Sequence, residues 1–356
     1  MGSSLFGSKF ATTMNYLDVP QFAARARLSP RPATGKLSDA FKIVAQILRL
    51  ASTEEALLLA SSWGRLHPDV LACVLIGFWP RRLRPVIVLS GCMWEPNSGP
   101  RGLAEKLVIK LADRAICRYA VQSTEELTIF PELWGVDPAK LSLCLFCLSL
   151  SRQELTAADT QASPPSGDHI FAGGNSHRDY EPLLAVARQM PEHKFILATR
   201  LLDGRADLPP NVTAGQVSHR QFMDLLAGAR ANIIPIRQGL HRAVGQQTYL
   251  TSMWFGRPTI VTDTLGVRDH MRDGKTGLIV DGSPQSYMRA LEWVLDPGHQ
   301  AQLARLTAAA RRDVQKRFTR ENHANCLLKV LDQAVGAASL NAAATGRNFY
   351  RSRSSD

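Results

Sequence analysis

An α/β chain with two parallel-sheet domains is the fold that the sequence predicts, and three observations carry it. From Glu55 to Leu150, short apolar strands alternate with helix-length segments. A second alternation of the same kind begins at Ile170. Between them, Leu155 to Gly167 is rich in Ala, Ser, Pro and Gly and reads as a linker. Strand–helix alternation argues for a parallel sheet covered on both faces. The expected layout is an N-terminal extension over 1–52, a reduced first domain over 53–158, a second domain with closing helices over 159–335, and a disordered tail over 336–356. A cleft between the two domains is part of that expectation.

The N-terminal residues 1–37 show no sustained periodicity and carry Pro20, Pro30 and Pro32. Ser38 to Ala51 reads as a helix with Ser38 as its N-cap. Ala56–Ala60, Pro85–Ser90, Ala115–Gln122 and Leu141–Leu150 are strand-like, separated by helices over Pro68–Phe78, Gly102–Asp113 and Thr124–Trp134. In the second half, strands at Ile170–Ala172, Phe195–Thr199, Val212–Ala214, Asn232–Ile236 and Thr259–Thr262 alternate with helices at Tyr180–Met190, Ser218–Ala229 and Thr248–Phe255. A short helix and a glycine turn then lead to Gly277–Val280, with helical patterns over Ser283–Leu295 and Gln300–Val335.

Composition narrows the class of function. The 356 residues include 42 basic against 31 acidic, a net charge of +11, which implies an anionic partner. No run approaches the about 18 apolar residues of a spanning helix. The first residues, MGSSLF, place Phe6 where a myristoylation signal wants Ser or Thr. No secretory-type apolar segment comes after them, and the acid-poor stretch before Ser38 suits either a flexible leader or a transit-type segment. Of six cysteines, Cys144 and Cys147 form a C-x-x-C, but in strand-like LSLCLFCLSL, where alternation sends them to opposite faces. No second pair completes a zinc site, so buried free thiols in a reducing compartment are expected.

Chemistry concentrates in the second half. In Phe171-AGGNSHRDY180 a strand ends at Gly173-Gly174 and a helix opens near Asp179, with Arg178 at its mouth. Glycines admit a close backbone approach, and a guanidinium holds phosphate oxygens in a fork. Further on, Gly245-Gln-Gln-Thr248 opens the next helix behind His241 and Arg242, a second seat for an anion on free amides. An ordinary glycine turn with Arg178 in a surface ion pair is the plainer alternative. Neither a G-x-G-x-x-G fingerprint nor a P-loop occurs.

These segments resemble the donor-binding domain of GT-B glycosyltransferases of the family 4 type. The resemblance rests on FAGGNSHRDYEPLL, TAGQVSHRQFMDLLAGARANIIPI and GQQTYLTSMWFGRPTIVTDTLGVRDHMRDGKTGLIV. The last is similar to the family signature G-x-x-x-x-x-E-A-M-A-x-G-x-P-V-I. In the first half, PVIVLSG, KLADRAICRYAVQSTEEL and WGVDPAKLSLCLF resemble the acceptor domain more loosely, so coverage runs from about residue 55 to 335. The resemblance implies a GT-B fold, two Rossmann-like domains facing across a cleft, and sugar transfer from a UDP- or GDP-linked nucleotide sugar to a glycan, lipid-linked or small-molecule acceptor. It implies that Gly173, Gly174, Arg178 and the amides from Gly245 through Gln246, Gln247 and Thr248 hold the donor diphosphate, with Arg200 or Arg242 as second cation. The loop Gly215 to His219 would face the base. No cofactor is implied, and no D-x-D stands in the chain for a metal.

One departure is plain. Where the family carries a ribose-holding glutamate this chain has Thr251, and the earlier glutamate falls on Ala243. A non-catalytic relative with a decayed donor site and an epimerase of the same fold therefore stay open beside the transferase. In the first half, Glu95 ends a strand as a general base or as a solvated acid, and Trp94 stacks on the acceptor sugar or covers the core. Lys106, Lys110 and Arg114 recur every four residues, and Phe78-Trp-Pro-Arg-Arg-Leu-Arg84 sets aromatic beside basic groups. They suit an anionic membrane surface on the cytoplasmic side, or a solvated face. No nucleic-acid reader motif is present, and no nucleic acid is expected.

Overall fold

Runs of aliphatic residues form twelve short strands in two parallel sheets, seen in a computed structural model that describes residues 8–30, 37–61, 67–150, 154–155 and 167–344. The chain divides into two units: the first takes residues up to Leu145 together with a helix from Arg320, and the second runs Phe146–Thr319.

Unit 1 is built from β1 (Phe10–Thr12), α1 (Pro20–Ala23), β2 (Ala26–Leu28), α2 (Leu37–Thr53), β3 (Ala56–Ala60), α3 (Pro68–Ile76), β4 (Val86–Ser90), α4 (Gly99–Ala112), β5 (Ile116–Val121), α5 (Glu126–Trp134) and β6 (Leu141–Leu143). Its sheet order is β2-β1-β3-β4-β5-β6. The central strands ALLLA and VIVLS are apolar throughout because both faces are covered. On one face α2 contributes Ile43, Ile47, Leu50 and Ala51, the helical repeat of a core stripe, alongside α3, α4 and α5. On the other, Phe22 of α1 packs with Leu327, Leu328 and Leu331.

Unit 2 comprises β7 (His169–Gly173), α6 (Glu181–Gln189), β8 (Lys194–Ala198), β9 (Val212–Gly215), α7 (His219–Gly228), β10 (Ala231–Ile234), α8 (Gln246–Trp254), β11 (Thr259–Thr262), α9 (Val267–His270), β12 (Leu278–Val280), α10 (Pro284–Leu295) and α11 (Gln300–Arg317). The order β12-β11-β10-β7-β8-β9 is the doubly wound dinucleotide-type arrangement, in which the winding reverses between β7 and β10.

Five expectations need correcting. The segment expected as an extension supplies β1, β2 and α2, so the first sheet has six strands and is not reduced. Ser38 sits inside α2 rather than capping it. The strand expected to Leu150 stops at Leu143; Cys144 and Cys147 are both buried rather than split between two faces. Finally, the helical pattern from Gln300 breaks at Phe318. The last helix, α12 (Arg320–Ala344), returns to unit 1, because its Leu327, Val330 and Leu331 are needed to cover the first sheet. Residues 336–344, expected as disordered, complete that helix, and the expected tail beyond 344 lies outside the described residues, as do residues 156–166 of the expected linker.

Candidate functional site

Strands β7 and β10 are neighbours in the second sheet, paired through Ile170–Ala172 and Ala231–Ile233. They feed helices on opposite faces: Leu183, Leu184 and Ala187 of α6 join the core on one side, while Asn232 reaches Ser252 of α8 on the other at 2.8 Å. Loops that part in this way leave a crevice at the carboxyl ends of the strands, where α/β proteins bind ligands. The loops stay tied as they leave. Asp179 N donates to Pro235 O at 2.9 Å, Arg237 N donates to His177 O at 3.0 Å, and Arg178 bridges Ile236.

Arg178 stands at the centre of this arrangement. Its Nη1 donates to Ser176 O at 3.0 Å, its Nε to Gly173 O at 3.4 Å, and its Nη2 to Thr248 Oγ1 at 3.4 Å. All three acceptors are neutral, and among the described residues no carboxylate pairs with this cation. Burial pushes its pKa downward, yet a guanidinium keeps its charge at any physiological pH. A half-buried cation without a counter-charge is stabilised by an arriving anion. Gly174 makes room for it: φ is +117°, and an added Cβ would stand 3.2 Å from Arg178 Nε. Tyr180 Oη donates to Gly174 O at 2.7 Å and holds the turn.

The start of α8 comes to the same place. Gly245 caps it at φ +80°, and a Cβ there would meet Ile236 Cδ1 at 2.9 Å, so both backbone and packing demand glycine. Thr248 N donates to Gly245 O at 3.0 Å, so its amide is spent within the turn, contrary to expectation. The amides of Gln246 and Gln247 have no acceptor among the described residues. Two free donors and the positive end of the helix dipole therefore face the Arg178 neighbourhood. The Gln246 side chain is only 4% exposed, and its Nε2 makes no hydrogen bond within the described residues.

Arg242 is drawn in as well. It is 7% exposed, and its Nη2 lies 2.8 Å from His177 Nε2. A guanidinium only donates, so this imidazole nitrogen is the acceptor. His177 itself takes a left-handed backbone at φ 52°. Arg200 is exposed beyond β8, and its amide donates to Asn175 Oδ1 at 2.9 Å, which also accepts from Thr199 Oγ1 at 2.9 Å. Asn175 and His177, both passed over in the sequence, thus join three loops. Their only signal is their position between Gly174 and Arg178.

Other candidates settle differently. Gly173 is a glycine because Phe222 of α7 presses against it: an added Cβ would stand 2.3 Å from that ring. Packing under α7, not ligand approach, explains it. Thr251 is 3% exposed and donates to Gln247 O at 2.6 Å. Gln247 is spent on Ser149 N at 3.1 Å and on Thr251 Oγ1 at 3.3 Å, so it does not stand in for the missing ribose carboxylate. Of the loop from Gly215 to His219, Gly215 O accepts from Thr199 N and Ser218 caps α7 in a box with Gln221.

In unit 1, Trp94 is 4% exposed. Its Nε1 donates to Ser61 Oγ at 3.0 Å, and its ring lies 5.7 Å from Phe130 and 5.8 Å from Trp134. It is an interior residue of that unit and offers no face to a sugar. Glu95 beside it is half-buried in the loop after β4.

Comparison with known proteins bears on the fold. Residues 189–297 match the family described as "Glycosyl transferases group 1". No curated protein matches the chain in sequence. Among solved structures, HepE of Anabaena in complex with UDP is 13% identical, with a TM-score of 0.63, covering 94% of this chain and 100% of its own. Sucrose-phosphate synthase of Thermosynechococcus elongatus is 15% identical at TM-score 0.62, with coverage of 88% and 84%. A glycosyltransferase of Rickettsia africae is 10% identical at TM-score 0.60, with coverage of 92% and 90%. At these identities the likeness carries the GT-B fold, two parallel six-stranded sheets with surrounding helices.

Proposed function

We propose that this chain, a glycosyltransferase of the GT-B fold whose second unit carries the group 1 family segment, moves a sugar from a nucleoside-diphosphate sugar to a glycan, lipid-linked or small-molecule acceptor. The observation that carries the reading is the meeting of Arg178, which pairs with no carboxylate among the described residues, with the start of α8 at Thr248. HepE, a protein of the same fold, is in complex with UDP in its structure, which supports a nucleotide ligand for this chain.

When the glycosidic bond breaks, negative charge grows on the departing diphosphate. Arg178, Arg242 held by His177, and the amides of Gln246 and Gln247 are placed to stabilise that charge without reorganising, and no metal is needed in the scheme. Arg200 is the further cation at the edge of the same loops. Unit 1 then holds the acceptor, with Glu95 as the carboxylate assigned to take the hydroxyl proton. An anionic membrane surface on the cytoplasmic side completes the proposal. Among the described residues no helix is long and apolar enough to cross a membrane.

Titration calorimetry with UDP, GDP and their sugars tests the donor site. Absence of heat with every one of them at millimolar concentration removes the reading. A second reading, a binding protein that keeps the fold, is favoured by one observation: Thr251 is buried and back-bonded where the family pattern has a ribose-holding carboxylate. Nucleotide binding without release of free nucleotide from any nucleotide sugar, across an acceptor panel, decides for it.

A further inference from the structure

The outer layer of unit 1 has a surface that its own fold does not explain. Helix α3 buries Val70, Cys73 and Ile76 against the sheet and exposes Leu71 and Leu75 on the opposite side, and Phe78, just past its end, is exposed too. Helix α4, packed beside it, buries Ile109 and Ala112 and exposes Leu103 and Leu107, at 71% and 59%. Phe41 of the neighbouring α2 is 68% exposed. A helix over a soluble core turns a polar face to water. Helix α3 is apolar on both sides, and the outer face of α4 sets two exposed leucines among lysines; exposed apolar patches of this kind mark interaction surfaces.

On α3, α4 and the connections that follow them, the exposed charges without an ion-pair partner among the described residues are basic. Lys106 and Lys110 share the Leu103–Leu107 face of α4, and among the described residues neither pairs with a carboxylate. Arg81 and Arg82 are exposed on the connection from α3 to β4, and the Arg114 guanidinium lies 5.8 Å from the centroid of the Phe78 ring. The surface acids of this layer are paired: Glu105 with Arg101 of the same helix at 3.5 Å, Asp113 with Lys140 at 2.9 Å and Asp39 of α2 with Lys42 at 3.5 Å.

We propose that the outer faces of α3 and α4 dock on an anionic lipid bilayer, with Leu103, Leu107 and Phe78 entering the acyl boundary and Lys106, Lys110 and Arg114 on the headgroups. The inference deepens the membrane partner of the reading above. Lysines interleaved with leucines fit a bilayer because their stems lie among chains while their ammonium groups reach headgroup phosphate. The same pattern suits a protein partner poorly, since interface centres are depleted in lysine. A second copy of this chain on a two-fold axis would set Lys106 and Lys110 against their own like charges.

The test is vesicle flotation of the full chain, with phosphatidylcholine alone and with phosphatidylcholine mixed with phosphatidylglycerol. Lys106→Glu with Lys110→Glu forms one variant and Leu103→Ser with Leu107→Ser another. The expected result is binding only to the mixed vesicles, weakened about tenfold or more by either variant and by high salt, with unchanged thermal stability and UDP binding. Equal binding to both vesicle types, no binding, or variants that bind as the parent chain overturn the proposal. A parent dimer that Leu103→Ser with Leu107→Ser dissociates overturns it in favour of a self-interface. Vesicle binding that persists in a chain with no affinity for any nucleotide upholds the docking surface while the donor-site reading falls.

Discussion

Arg178 Nη2 reaches Thr248 Oγ1 at 3.4 Å, so a side chain from the loop after β7 touches the first turn of the helix after β10. The contact is made where the winding of the second sheet reverses, and it joins a cation to a helix start with two amides, the cation without a counter-charge and the amides without an acceptor among the described residues. The ligand suited to that place is an anion with several oxygens.

Arg178→Ala is expected to weaken nucleoside diphosphate binding by about 2 kcal/mol, roughly thirtyfold, with little change in stability. Arg178→Lys should recover only part of it, because an ammonium lacks the fork that spans Thr248 and a phosphate. Calorimetry with UDP and GDP, paired with thermal melts, checks both.

Gly245→Ala should destabilise the protein by about 1–3 kcal/mol. The residue adopts φ +80°, and the new methyl would press on Ile236 Cδ1 at 2.9 Å. A urea midpoint that does not move would mean the cap relaxes freely.

Thr251→Glu is expected to lower the stability of the free protein by about 1–3 kcal/mol, since it puts a carboxylate at a 3% exposed position on top of the Gln247 back-bond. The same change should raise nucleoside diphosphate affinity if only the ribose contact is missing. Melts with and without UDP separate the two effects.

Trp94→Ala should cost about 3–5 kcal/mol through lost packing against Phe130 and Trp134, with Trp94→Phe milder. A variant that keeps its stability and loses only acceptor turnover would contradict the interior placement.

Acid should weaken both units through His270 and His323. Burial depresses both pKa values; His270 sits between Tyr249 Oη and Gly266 O, and His323 against Leu145 O. The folded pKa lies below the unfolded value near 6.5, so beneath that pH the unfolded chain binds more protons and stability falls as pH drops. Melting points from pH 7 to pH 5 should decline less steeply in His323→Gln.

Local chemistry was enough to place most elements. Ala56–Ala60 and Thr259–Thr262 are read to the residue, because a buried parallel strand is a short run of aliphatic or β-branched residues bounded by turns. The glycine-led start of α8 and the Arg178 loop are legible for a similar reason, since positive φ and helix caps are written in neighbouring residues. Long-range pairing escaped the sequence. β1 and β2 are three residues each, too short for a period, and exist because β3 offers an edge to pair with. Nothing local says that α12 covers the first sheet, that Phe222 makes Gly173 a packing glycine, that Thr248 spends its amide on its own turn, or that Trp94 points inward. Each depends on a partner distant in the chain or on the closed geometry of a turn, and only the folded structure sets these.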